Sequence, residues 1–281
     1  MAPSEDRLAR ILVALDSSAH ARAALEAAAA LAADLEAELL GLFVEDANLL
    51  RLAALPFARE AFWAPAADER LEEARMARTL RAEADQLRRQ LAAEAERQHV
   101  RWSFRVARGP VDRELLAAAE QADLVVLGTV GRSPMRTSGL GSTARTVART
   151  ATRSVALLRP GAPPGRPVVT LDDPSPTGAR ALALAARLAR EDHRNLVVLV
   201  PGKADETLAQ PPTAEAERRL QGQGLRARVR PLTQVDSDAV AAAVREAGGR
   251  LLVLGADHPL ADEGSLARLI ARSGCPVVVA R

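Results

Sequence analysis

The sequence contains no tyrosine, four phenylalanines and two tryptophans, so aromatic residues make up 2% of its 281 residues. A core made from such a chain must be aliphatic, built from Leu, Val and Ala. Cys275 is the only cysteine, which excludes an intramolecular disulfide. Lys203 is the only lysine. A phosphate-binding loop of the Gly-x4-Gly-Lys-Ser/Thr type needs a lysine after an upstream glycine, and Lys203 follows Gly202 without one. No run of about 18 apolar residues is present, so no membrane-spanning helix is expected. Met1–Arg10 carries charges and no apolar centre, so no signal peptide is expected and the cytoplasm is the expected compartment.

Charge of one sign is also lacking. The 38 basic residues nearly balance 36 acidic ones, for a net charge of +2. No dense basic run with interleaved aromatics occurs, which argues against a nucleic-acid partner. The four histidines, His20, His99, His193 and His258, are scattered and read as surface residues, and no His/Cys/Asp cluster has zinc-like spacing. No Gly-x-Ser-x-Gly nucleophile elbow appears. No catalytic residue is assigned, although slow hydrolysis of a bound nucleotide is compatible with Asp16.

What is present is a repeat. Short continuous Val/Leu/Ile runs, at Arg10–Leu15, Leu39–Val44, Asp123–Gly128, Ser154–Leu158, Pro167–Leu171, Asn195–Val200, Arg250–Gly255 and Pro276–Ala280, read as strands covered on both faces. Arg101–Val106 and Arg226–Arg230 are weaker strands. Ala-rich helical stretches, Ala19–Leu35, Asp112–Glu120, Gly178–Glu191 and Asp238–Ala247, lie between them. Alternation of this kind predicts βαβ units and parallel sheets. ILVALDSS in the first half resembles VVTLDDPS in the second, and ADLVVLGTVG resembles GRLLVLGADH. Two tandem α/β domains are expected, at 1–160 and 166–281, joined by the Pro/Gly-rich segment Arg159–Arg166. Each is a doubly wound five-stranded parallel sheet in the order 3-2-1-4-5.

The first half is longer, mostly through Asp46–Arg75. Within it, Leu49–Trp63 holds two of the four Phe and one of the two Trp. It reads as a packing segment, or as a lid or partner surface. Asp68–His99 reads as a long helix with a solvated charged face.

The informative segment is Gly128-Thr-Val-Gly131, nine residues, then Gly141-Ser142. Such a pattern arises by chance in a chain of this length on the order of once in a hundred, given average glycine usage of about 7%. It follows a strand and precedes a helix. Glycines let backbone N–H groups approach a polyanion, and a helix start adds about half a positive charge. Ser142 is expected at the N-cap, with the amides of Thr143 and Ala144 facing a phosphate. Arg132 and Arg136 either add charge or are solvated loop residues. Asp16 ends the first strand. It either accepts from a sugar hydroxyl or adenine amine, or it and Ser17 cap the next helix. In a 3-2-1-4-5 sheet, strands one and four are neighbours at the switch point where ligands bind. GLGSTA at Gly139–Ala144 also fits a dinucleotide fingerprint, but no strand ends just before it.

ILVALDSS, LLGLFVED and GTVGRSPMRTSGLGST together resemble the universal stress protein family. The resemblance covers nearly the whole chain as two copies. It implies an adenine nucleotide alpha hydrolase-like fold and bound ATP, with or without magnesium. It implies that Asp16 and the backbone at Val44 hold adenine, that Gly128 and Gly131 line ribose and phosphates, and that Gly141, Ser142 and Thr143 cradle the phosphates. It also implies pairing through last strands. Here Ser154–Leu158 and Pro276–Ala280 would pair within one chain as an intramolecular pseudo-dimer, which could also form a homodimer.

The second copy retains Asp172, read as a cap of the helix that follows, but departs from the pattern elsewhere. Asp257 and His258 replace loop positions, and only five residues separate His258 from Gly264. A carboxylate facing a phosphate at 4 Å costs about 1 kcal/mol even in water. The expected function is a stress-response regulator that binds ATP in its first domain, with an unidentified protein partner. The alternative is a nucleotide-independent interaction protein using residues 49–63 and the long helix.

Overall fold

The computed structural model describes residues 9–53, 73–130, 140–161, 165, 167–189, 195–202 and 212–281. The chain divides into two compact units, Met1–Thr150 and Ala151–Arg281.

The first unit begins with β1 (Arg10–Leu15), α1 (Ala19–Leu35) and β2 (Glu38–Asp46). The short α2 (Ala47–Ala53) and the long α3 (Glu73–Arg97) follow. Then come β3 (Trp102–Gly109), α4 (Val111–Ala119), β4 (Leu124–Gly128) and α5 (Ser142–Thr150). The strand order is β3-β2-β1-β4, all parallel. Ile11, Leu12, Val13, Leu124, Val125 and Val126 are fully buried, as continuous apolar strands covered on both faces require. α1 buries Ala24, Ala27, Ala28 and Ala32 along the inner stripe. Methyl side chains allow a close approach to the sheet. α3 buries Met76, Leu80, Ala84, Leu87, Leu91 and Ala95, a three- and four-residue spacing that forms one helix face. Its charges lie on the other face, as expected. Residues 54–72 of the insertion, with most of the 49–63 segment, lie outside the described residues.

The second unit holds β5 (Ser154–Leu158), β6 (Val168–Leu171), α6 (Pro176–Ala189), β7 (Leu196–Pro201) and α7 (Pro212–Gly222). It continues with β8 (Arg228–Leu232), α8 (Ser237–Glu246), β9 (Leu251–Gly255), α9 (Glu263–Ser273) and β10 (Val277–Ala280). The strand order is β5-β10-β9-β6-β7-β8. The last five are parallel in the expected 3-2-1-4-5 arrangement. β5 pairs antiparallel with β10, Val277 opposite Leu157 and Val279 opposite Val155. This is the expected pairing of last strands, and the Arg281 N–H donates to the Ser154 hydroxyl at its end.

Four local expectations are corrected. Ser18, not Asp16 or Ser17, caps α1: its hydroxyl accepts from the Ala21 N–H at 3.1 Å. In the second copy, Asp172 does not cap its helix. It forms an ion pair with Arg219 of α7, while Ser175 accepts from the Gly178 N–H at the start of α6. α5 starts at Ser142 itself, so Gly141 takes the preceding position assigned to Ser142. His258 is not a surface histidine but is half-buried, for reasons given below.

Candidate nucleotide site and its counterpart in the second copy

The parallel register gathers three of the sequence-derived positions. Leu15 of β1 lies opposite Phe43 of β2, so Asp16 and Val44 are the next residues on neighbouring strands. Val13 lies opposite Val126 of β4, so Gly128 ends its strand beside them. The order β2-β1-β4 thus places Val44, Asp16 and Gly128 at the carboxyl ends of three adjacent strands, at the switch point of the sheet. Asp16 and Val44 are both half-buried. Asp16 Oδ1 accepts from the Ser18 N–H at 2.8 Å, which turns the chain from β1 into α1 and fixes the carboxylate.

Gly128 has a packing role that the sequence reading missed. A Cβ built there would sit 2.8 Å from His20 Cβ, 2.9 Å from its carbonyl carbon and 3.0 Å from its carbonyl oxygen. Only glycine lets the first turn of α1 lie this close to β4. The repeat carries the same device: a Cβ on Gly255 would meet the Gly178 nitrogen and the Thr177 carbonyl carbon at 2.8 Å. The internal repeat was the signal that could have found it, since Gly128 and Gly255 occupy the same place in both copies.

Gly131, Arg132 and Arg136 lie outside the described residues. The ends of their loop are visible. Thr129, 2% exposed, accepts through its carbonyl from the Gly141 N–H at 2.7 Å. Arg145 Nη2 donates to the Leu140 carbonyl at 3.3 Å. The first of these contacts brings residues 129 and 141 together. The first helical bond of α5 runs from the Arg145 N–H to the Gly141 carbonyl at 2.9 Å. The amides of Ser142, Thr143 and Ala144 therefore precede the helical ladder and have no acceptor within it. No acidic residue lies in that first turn. Ser142 is exposed and Thr143 half-buried. A groove beside Asp85 and Arg88 of α3 and Trp102, Phe104 and Val106 of β3 lies along the opposite half of β3 from its carboxyl end, and does not coincide with these residues.

The second copy fills the corresponding place with its own side chains. Asp262 caps α9, its Oδ1 accepting from the Gly264 N–H at 2.9 Å and the Ser265 N–H at 3.1 Å. The Ser265 hydroxyl and amide, with the Gly264 amide and the Arg268 charge, hold this carboxyl below the usual carboxylate range against a small opposing effect of burial. His258 accepts through Nδ1 from the Leu260 N–H at 3.1 Å and so caps the 3-10 turn Pro259–Ala261. Burial lowers its pKa, while the charge of Asp173 opposes the shift. Asp257 is tied to Thr177, whose hydroxyl donates to its Oδ2 at 3.1 Å.

Comparison with known proteins decides the family. The family model described as the universal stress protein family matches residues 8–159. The chain belongs to the universal stress protein family. A universal stress protein of Mycobacterium tuberculosis, from each of two strains, is 33% identical over 196 residues, covering 67% of this chain and 70% of that protein. Among solved structures, a universal stress protein from Archaeoglobus fulgidus aligns with a TM-score of 0.73 at 16% identity, covering 97% of this chain and 96% of that one. A Pseudomonas aeruginosa protein of the same description aligns at 0.61 and 14% identity, covering 97% and 93%. At such identities these two likenesses speak for the fold. Among the described residues, no helix is long and apolar enough to cross a membrane.

Proposed function

We propose that this universal stress protein binds one adenine nucleotide, ATP, at the first copy's strand ends, and that the bound state regulates its dealings with a protein partner. Asp16 and the Val44 backbone would take the adenine and sugar side. Gly128, Gly131 and Arg132 would line the ribose and phosphates. The turn Gly141–Thr143 would meet the phosphates.

The observation that carries this reading is the contrast between the two helix starts. α5 opens with Ser142 and no acid in its first turn. α9 opens under the Asp262 carboxylate, which already engages two amides. A helix start attracts anions through its N–H groups and its dipole. In the second copy that attraction is satisfied from within; in the first it is left for a ligand. The second copy therefore takes a structural or regulatory role and does not hold ATP in this manner.

The donor set suits a polyphosphate: backbone amides, two hydroxyls and arginine rather than a carboxylate cage. Among the described residues, no group of three His, Cys, Asp or Glu could hold a metal ion. Magnesium would accordingly arrive on the nucleotide's own phosphates. The site supplies binding groups and no paired acid and base, which fits a ligand-sensing role better than dedicated catalysis. The alternative, a nucleotide-independent interaction protein, rests on residues 49–63 and α3, and most of the former lies outside the described residues.

Calorimetric titration of the full chain with ATP tests the proposal. One site per chain is expected, abolished or strongly weakened in Gly141→Val. Binding that is unaffected by that change in a folded protein would overturn the site.

A further inference from the structure

β3 is the outer strand of the first unit. The order β3-β2-β1-β4 pairs it on one side with β2, and no other described strand lies along its second edge. The register settles which backbone groups face that edge. The Arg101 carbonyl accepts from the Leu39 N–H at 2.8 Å, so Arg101 is turned toward β2. Alternate residues of a strand direct their N–H and C=O groups to opposite edges. Ser103 and Arg105 therefore also bond β2. The backbone groups of Trp102, Phe104 and Val106 point outward.

The same three residues share one face of the strand and line the groove against Asp85 and Arg88 of α3. Phe104 lies beside Gly41 of β2, where an added Cβ would come within 3.2 Å of the ring. Val106 is 46% exposed. An apolar groove next to an open backbone edge is the arrangement by which an extended peptide joins a sheet. Main-chain bonds hold it, and alternate side chains enter the groove. The charge of β3 selects the partner. The strand contains Arg105 and Arg108 and no acid. Arg108 has Glu45 at 4.0 Å, and the charge of Arg101, just before the strand, acts on Glu38. Arg105 stands exposed opposite Leu42, and among the described residues no acid pairs with it. A second copy of β3 would set one basic strand against another, which like-charge pairing disfavours. On the α3 side, Asp85 and Arg88 offset each other.

We propose that the free edge of β3 takes up an extended strand of a protein partner in which apolar residues alternate with acidic ones. The apolar side chains enter the groove over Trp102, Phe104 and Val106. An acid on the opposite face pairs with Arg105. The two-residue period makes the match selective, since a slip of one residue would put the acids in the groove and the apolar side chains against Arg105. This inference does not rest on the nucleotide site.

The probe is a fluorescein-labelled peptide of eight residues, the length of β3, with valine and glutamate alternating. One control carries the same residues in two blocks, and another alternates valine with lysine. Fluorescence anisotropy is read on the full chain, unaltered and as Arg105→Glu and Val106→Asp, with folding checked by circular dichroism. The alternating valine–glutamate peptide is expected to bind about tenfold tighter than either control. Arg105→Glu is expected to weaken it about tenfold and to turn the preference toward the lysine peptide. Val106→Asp is expected to weaken both alternating peptides. Should Val106→Asp not fold, the reversal of preference in Arg105→Glu decides. Amide hydrogen exchange followed by NMR supplies the backbone readout. The Phe104 and Val106 amides should slow in the complex, while those of Ser103 and Arg105, already bonded to β2, should not change. Binding without that protection would be groove contact alone and would overturn the inference, as would equal binding of the three peptides or none. Two other occupants would also overturn it. A second copy would show as a dimer in light scattering that Val106→Asp abolishes. The chain's own residues 54–72 would show as a probe that binds only after their deletion.

Discussion

Gly128 and His20 are in backbone contact: a Cβ on Gly128 would sit 2.9 Å from the His20 carbonyl carbon. The glycine that begins the nucleotide motif is therefore required by the fold before any ligand arrives. Backbone cannot swing aside as a side chain can, so an added methyl forces α1 away from β4. We expect Gly128→Ala to destabilise the protein by about 1–3 kcal/mol, the usual range for overpacking a tight contact. Gly255→Ala should do the same in the second copy, where no ligand is expected. Urea unfolding without nucleotide checks both. Unchanged midpoints would show that the contact relaxes freely.

Asp262 makes a second prediction. Asp262→Ala removes the cap of α9 and is expected to cost about 0.5–2 kcal/mol. The effect depends on pH in a defined sense. The folded-state pKa of Asp262 is lowered from its ordinary 3.8. Its contribution is therefore fully present above that ordinary value and is lost as pH falls through the lowered one. The gap between the unaltered protein and Asp262→Ala should stay constant near neutrality and narrow only in strong acid. Chemical denaturation across that range measures it. A gap that narrows already at about pH 6 would contradict the assignment.

His258 shifts in the same direction for a different reason, since its unprotonated form is the neutral one that burial favours. Burial lowers its pKa from 6.5, although Asp173 faces it and partly offsets the shift. Its Nδ1 accepts a hydrogen bond and must be unprotonated to do so. The unfolded chain thus binds the proton more readily, and stability falls as pH drops below about 6.5. His258→Asn, which keeps a capping acceptor without the titration, should flatten that slope. Thermal midpoints at about pH 7.5 and about pH 5.5 test it. Equal slopes in the two proteins would dismiss His258 as the source.

The turn at Gly141 provides the functional prediction. Its N–H is committed to the Thr129 carbonyl at 2.7 Å, so the amides left for phosphate belong to the residues that follow. A branched side chain at Gly141 would stand over them. Gly141→Val is expected to weaken ATP at least tenfold, about 1.4 kcal/mol, with the fold retained. Titration with a melting control separates the two effects.

Much of this architecture was legible because the core strands announce themselves. Runs such as Leu124–Leu127 and Leu251–Gly255 are continuously apolar and continuously buried, so the ends of their strands were found to within a residue. β3 and β8 were harder. Both are edge strands with exposed arginines, including Arg105 and Arg228, and each extends past the run the sequence marked. α9 went unnoticed, although Leu266, Leu269 and Ile270 lie on one buried face. Its sequence signal is Asp262 placed just before that periodicity as a capping residue, without a long apolar run to accompany it. At the site, the sequence placed Asp16 and Gly128 on adjacent strand ends through topology alone, and the family resemblance added Val44. It did not mark Thr129 or Arg145, since a backbone carbonyl and a back-folded side chain leave no pattern in a sequence.

The central claim is a single nucleotide site per chain, in the first copy. Denaturing the purified protein and quantifying the released small molecules by mass spectrometry addresses it most directly. The account predicts about one adenine nucleotide per chain, lost in Gly141→Val. Two per chain would contradict the self-capped reading of the second copy. None, in a protein that also fails to take up added ATP, would contradict the nucleotide site altogether.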